Sequence, residues 1–183
     1  GHNAADSSRW RSVNVGIFSA VDTLHGLQIG GISSITEREM KGVSITGLFT
    51  AGGGRLKGVQ TSLGMNVFGG KMRGWQVAGI SNVARYIDGV QLSGFANITE
   101  SSFRGLQFSP FTNIAMGVKK GAQIGGLANI ASETMHGLQL GTYNYADTLT
   151  GLQIGLLNIA LQQPKGLQIG IINYSRDTLT NKI

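Results

Sequence analysis

Six cations each stand one residue ahead of a glycine at near-constant spacing: Lys41, Lys57, Arg73, Arg104, Lys120 and Lys165. His25 and His136 hold the same place in other copies, and Asp88, Thr150 and Thr180 fill the rest. A fold that brought these positions into line about 4.8 Å apart would set like charges against each other unless they splayed or met anions. The chemistry on offer is polyanion or glycan binding by an anion-binding column. An acidic surface polysaccharide or a phosphorylated lipopolysaccharide suits it better than nucleic acid, because no stacking aromatics accompany the charges. The plainer alternative pairs these cations with turn carboxylates such as Glu37, Glu100, Glu133, Asp147 and Asp177, a few residues earlier in their units.

Two amide series share the same spacing. Gln28, Gln60, Gln76, Gln91, Gln107, Gln123, Gln139, Gln153 and Gln168 sit two residues after the glycine. Their expected place is a solvent-facing strand position, where stacked amides bond along the long axis. There they would present a flat polar face to a glycan or another surface protein. Asn66, Asn82, Asn97, Asn113, Asn129, Asn144, Asn158 and Asn173 form the second series. They read as a structural column, each buried in a corner where its amide satisfies turn and neighbouring backbone groups.

Other chemistry finds little support. His2, His25 and His136 form no pair with metal-ligand spacing, and no paired-carboxylate motif falls within the register. Gly52-Gly53-Gly54 and Gly69-Gly70 have no following helix or Gly-Lys-Ser/Thr pattern that would make a phosphate cradle, so they read as loosened turns. The expectation is a non-catalytic protein with no cofactor and no metal.

These residues need an element that repeats every 14 to 16 positions, the spacing between successive glycines from Gly26 to Gly166. Such a unit is too short for a helix pair or a propeller blade. The alternation in Leu152-Gln153-Ile154 has the two-residue period of a strand, and glycines punctuate both ends, where a tight corner needs positive φ. The pattern predicts an all-β protein: a β-solenoid of about eleven coils, running as one domain over residues 12–183 behind a polar leader, residues 1–11. Leu152, Ile154, Leu156 and Ile159 are expected in a narrow core, as are Phe95, Phe108 and Phe111. A transmembrane barrel competes, but Gly151 to Ala160 breaks its alternation in mid-strand, as a corner would make it do. In the last three copies one residue is missing between Gln and Asn, a deletion expected in a turn.

Composition narrows the class further. The 183 residues include 29 glycines but 2 prolines and no cysteine, with 13% charged, 41% hydrophobic and a net charge of +6. That excludes collagen, a disulfide framework and a disordered chain, and no run of 18 apolar residues marks a spanning helix. Gly1 in place of an initiator Met suggests a removed tag or signal peptide. The stop at Ile183, where a twelfth coil would begin, leads to the expectation that the native chain continues or that a partner covers that end.

Gln153-x-Gly155-x-x-Asn158-x-Ala160 and Gln139-x-Gly141-x-x-Asn144-x-Ala146 resemble the core of the curlin repeat of bacterial amyloid fibres, whose unit is longer. The fuller pattern Gly-Leu-Gln-Ile-Gly-Leu-Leu-Asn-Ile-Ala is more similar to bacterial surface-repeat proteins, a family of exported or cell-surface proteins, and that likeness extends from about Ser12 onwards. The resemblance implies export and a location at the cell surface, associated with the outer membrane or extracellular, but brings no activity. The expected function is a structural or adhesion-type surface scaffold. The alternatives are a polyanion-binding module or a membrane-associated, barrel-like repeat module. End-to-end self-association through open strand edges is also expected.

Overall fold

The structure, a computed structural model, describes residues 13–176. They form a parallel β-solenoid of about nine turns, with strands stacked about 16 residues apart and no helix. Its strands are β1 (Val13–Thr46), β2 (Phe49–Gly52), β3 (Arg55–Ser62), β4 (Met65–Ala78), β5 (Ser81–Ser93), β6 (Ala96–Ser109), β7 (Thr112–Gly125), β8 (Ala128–Leu140), β9 (Tyr143–Ile154), β10 (Leu157–Ile169) and β11 (Ile172–Ser175). Nine glycine-led rungs from Gly42 to Gly166 pair in register. Gly26 lies against Gly42 in the same way. The eleven coils expected from sequence exceed the turns seen, in part because the outermost copies include Ser12 and Thr180, outside the described residues. The leader 1–11 and Asp177 lie outside them too.

The leading glycine is required for two reasons. At Gly105 φ is +123°, and an added Cβ would lie 1.9 Å from the Gly89 carbonyl oxygen in the coil below. An L-residue is strained there, and no side chain fits between the coils. The shortened corner also falls where the sequence places it. β7 runs on to Gly125, two residues past Gln123, whereas β8 ends at Leu140, directly after Gln139.

The interior differs from expectation. Gln60 through Gln153 are wholly buried, as are Asn66 through Asn158. The solvent-facing Gln column is therefore corrected: it faces inward. Leu156 is 55% exposed, and Leu152, Ile154 and Ile159 lie half-buried on the outside. Phe95, Phe108 and Phe111 are exposed as well. Alternation defines two faces of a strand but not which one is enclosed. Amides can be enclosed because the coil spacing lets each one bond to its copy above and below, which offsets their desolvation.

Both ladders are continuous over eight residues. Gln91 Nε2 donates to Gln76 Oε1 at 2.8 Å, and Gln107, Gln123 and Gln139 repeat the contact at 2.8 Å. Asn82 Nδ2 donates to Asn97 Oδ1 at 2.9 Å, and this chain runs on to Asn173. Backbone carbonyls fix the amide orientations, since a carbonyl can only accept. Asn97 Nδ2 also donates to Phe108 O at 2.7 Å, and Gln139 Nε2 to Tyr145 O at 3.0 Å. The Gln donors thus point toward the N-terminal coils and the Asn donors toward the C-terminal coils. The two rows of side-chain dipoles oppose and largely cancel.

An apolar filling sits beside the amides, under the arc that closes each coil. Leu24, Met40, Leu56, Met72, Ile87, Phe103, Met135 and Leu149 supply it from two residues before each glycine. Phe68 and the small residues Ala84, Ala115, Ala131, Ala146 and Ala160 face them.

Candidate functional site

Each coil has two straight segments and an arc. The first segment carries the buried Gln between two outward residues, and the second carries the buried Asn in the same way. The arc then leads back to the next leading glycine. Among the described residues are twelve Lys or Arg and seven Asp or Glu, and every one of them lies on the arc. The two flanks carry none.

The Gln flank presents Leu106 and Phe108 in one coil, Ala122 and Ile124 in the next, then Leu138 with Leu140 and Leu152 with Ile154. None of these is buried. On the Asn flank the outward pairs include Met65 with Val67, Ala96 with Ile98, and Tyr143 with Tyr145. The corner joining the flanks adds Leu63 (76% exposed), Ile80, Phe95, Phe111, Leu127 and Ile171 (80% exposed). The Phe95 and Phe111 rings lie 4.6 Å apart across adjacent coils. Beside this ridge an apolar trough of about 850 Å³ runs past Phe108, Ile124, Leu140, Ile154 and Ile169, with glycines such as Gly126 and Gly155 in its lining. Contiguous exposed apolar residues rimmed by a charged edge are the pattern of an interaction surface.

On the arc, Lys41, Lys57, Arg73, Arg104, Lys120 and Lys165 are all exposed. Lys41, Lys57 and Arg73 stack in register, Asp88 stands between Arg73 and Arg104, Arg104 stacks on Lys120, and Lys165 pairs with Thr150. Only Lys41 of these six has an ion pair among the described residues, with Glu39 at 2.9 Å. Glu39 also lies 3.7 Å from His25, and Arg38 meets Asp22 at 3.0 Å. The Lys41 hydrogen bond, more than the cations' fields, holds the Glu39 carboxyl below its ordinary range. The carboxylates expected to neutralise the column do not do so. Glu37, Glu100 and Glu133 pair with none of these cations, and Asp147 instead accepts from the Tyr145 hydroxyl at 2.5 Å, which raises the Tyr145 pKa. The reason is reach: Glu37 and Glu100 stand four positions before Lys41 and Arg104, about 13 Å along an extended chain at roughly 3.3 Å per residue.

The densest positive region was not legible as a column. Arg55 pairs in register with Lys71, and Lys57 with Arg73, so two adjacent coils set four cations in a square. The glycine runs Gly52-Gly53-Gly54 and Gly69-Gly70 lead into it. β2 ends at Gly52 and β3 starts at Arg55, and Gly54 has φ +64° with its Cβ direction blocked by Arg38 O at 1.9 Å. Gly53 and Gly54 make a turn, as read from the sequence, but the reading of Gly69-Gly70 as a turn is corrected: both lie within β4, where the register with β5 shifts between Phe68 and Lys71. Ser101 beside the Tyr86 hydroxyl, aided by the Arg85 cation, holds the Tyr86 pKa below its ordinary value, and Arg85 stands 5.6 Å from the centre of that ring.

Asn82, Asn97, Asn113, Asn129, Asn144 and Asn158 lie enclosed on the inner face of the Asn flank, while Asn173 is exposed at the C-terminal end of the described ladder. In the shortened copies the amide also reaches its own corner: Asn144 Nδ2 donates to Gly141 O at 3.2 Å. Among the described residues no group of three His, Asp or Glu is placed to hold a metal. Comparison with protein-family models, curated proteins and solved structures found no match.

Proposed function

We propose that the protein is a non-catalytic scaffold of the surface-repeat type whose outside does its work: apolar flanks that adhere and one charged edge that faces water. The observation that carries this is the complete segregation of charge, with all nineteen charged side chains of residues 13–176 on the arcs and none on either flank. Hydrogen-bonded amides and apolar side chains fill the inner faces, and the exposed apolar columns are what remains to be covered. Export and a surface location accord with the repeat's resemblance. Introducing Leu106→Lys and Leu138→Lys puts charge on the Gln flank without touching the interior. The doubly substituted protein should keep its far-ultraviolet dichroism and lose retention on a phenyl matrix. Unchanged retention would remove the flanks as the working surface.

A second reading rests on the four-cation square Arg55, Lys57, Lys71 and Arg73: the edge binds a polyanion, such as an acidic polysaccharide. Retention on heparin should fall with salt and with charge reversal at Lys41, Lys57, Arg73 and Lys120. Equal retention of that variant would dispose of the edge as a binding site.

A further inference from the structure

We infer that the slab seats edgewise in one leaflet of an anionic bilayer, the arc at the headgroups and the Phe95–Phe111 corner deepest. This deepens the scaffold reading and rests on it. Three sides of the slab are uncharged: the Gln flank, the corner and the Asn flank. A second copy would cover one flank, whereas hydrocarbon covers all three at once.

Depth agrees with this seating. From Gly105 to Ser109 the Gln segment is five residues long, about 16 Å at roughly 3.3 Å per residue. One leaflet offers about 15 Å of hydrocarbon, half of the roughly 30 Å core. Flank backbone groups bond from coil to coil, as Gly74, Gly89 and Gly105 do in register, so the flanks present paired backbone to lipid. The apolar trough spans five rungs, about 19 Å at roughly 4.8 Å each, so the uncharged surface beside the corner is continuous along the stack.

Charge supplies the complementarity. On the arcs twelve cations face seven carboxylates, an excess of five positive charges. The square of Arg55, Lys57, Lys71 and Arg73 borders the upper end of the flanks, where phosphate headgroups would lie. Glu39, the acid next to Arg55 in register, is already held by Lys41. Trp75 stands two residues beyond Arg73, outward and 53% exposed, at the level where indoles sit in membrane interfaces.

Trp75 is a built-in depth gauge. With Trp10→Phe it is the sole indole, and Phe111→Trp added to Trp10→Phe and Trp75→Phe moves the indole to the corner. Both proteins would be mixed with vesicles of phosphatidylglycerol and phosphatidylcholine, or of phosphatidylcholine alone, carrying doxyl quenchers high or low on the acyl chain. The expected result is flotation with the anionic vesicles. Trp75 should be quenched best by the shallow label and the corner indole by the deep one. Lys57→Gln with Arg73→Gln should lower partition roughly 30-fold.

Equal quenching of both indoles by each label would overturn the edgewise seating. Failure to float while the protein still binds a phenyl matrix would overturn the leaflet but leave the scaffold. Loss of both would remove both. A Trp75 blue shift that follows protein concentration without lipid, with a doubled mass in sedimentation, would assign the flank to a second copy and overturn the proposal.

Discussion

Asn113→Leu tests the enclosed amide ladder at its centre. Asn113 is fully buried; its Nδ2 donates to Asn129 Oδ1 at 3.0 Å and to Ile124 O at 2.8 Å, and its Oδ1 accepts from Asn97 Nδ2 at 2.9 Å. Leucine leaves one Asn97 N–H and the Asn129 oxygen unpaired and removes a donor from the Ile124 carbonyl. Orphaned buried groups cost about 1–3 kcal/mol each, so these three together come to about 5 kcal/mol. Burying the leucine side chain offsets about 2 kcal/mol of that. The net loss of about 3 kcal/mol should lower Tm by roughly 6–12 °C in a chain of this size. The same change at Asn173, the exposed end of the described ladder, orphans little beyond one Asn158 N–H and should cost under about 1 kcal/mol. Urea denaturation followed by far-ultraviolet dichroism, with the slope compared between variants, measures both. Equal losses at Asn113 and Asn173, or a loss at Asn113 within about 0.5 kcal/mol of zero, would refute the reasoning from orphaned groups.

Other outcomes follow from the same geometry. Among the described residues Gln60 Nε2 and Asn66 Oδ1 have no partner, because Ser44 and Thr50 stand where the preceding amides would be. Thr50→Asn should therefore raise stability by about 1 kcal/mol, a gain seen as a higher denaturation midpoint. Gly105→Ala should cost about 3–5 kcal/mol from strain and overpacking. Gly117→Ala, whose Cβ would meet only side-chain atoms at 3.4 Å or more, should lie within about 1 kcal/mol of zero. In an alkaline titration followed by tyrosinate absorbance, Tyr86→Phe should delete an early component and Tyr145→Phe a late one. Tyr145 has the raised pKa, so its bond to Asp147 stabilises below its ordinary value near pH 10 and is lost as pH climbs through the raised value. For Glu39 the sign is reversed: its contribution is present above about pH 4.5 and is lost as pH falls through the lowered value.

Period and strand character were legible in the residues, but not every corner was: the Asn column expected in corners lies on a straight segment, and Gly69-Gly70 lies within β4. Glycine at the leading positions follows from the Gly89 carbonyl beneath Gly105, a contact that repeats from Gly42 to Gly151, so the column had to be visible. The shortened corner from Gly137 onwards was equally plain. Which face is inside was not, and neither was the apolar filling. Its signal was present, since Leu24, Met40, Leu56 and Met72 each precede the leading glycine by two. Burial of Leu152 and Ile154 looked like the ordinary choice, however, and left those residues no role.

The sequence alone determined a coil of about sixteen residues, because a repeat length is a covalent property and the two-residue alternation admits only strands. It also determined that every charge between residues 13 and 176 falls in one stretch of each unit. Only the tertiary structure decided that the amides are enclosed and the aliphatic columns are outside. Two inner faces must meet before an amide can exchange water for its copy one coil away and for a carbonyl across the interior. The same closure turned a scattered set of basic residues into a rim and set Arg55, Lys57, Lys71 and Arg73 together, since side chains sixteen residues apart become neighbours only when the coils stack.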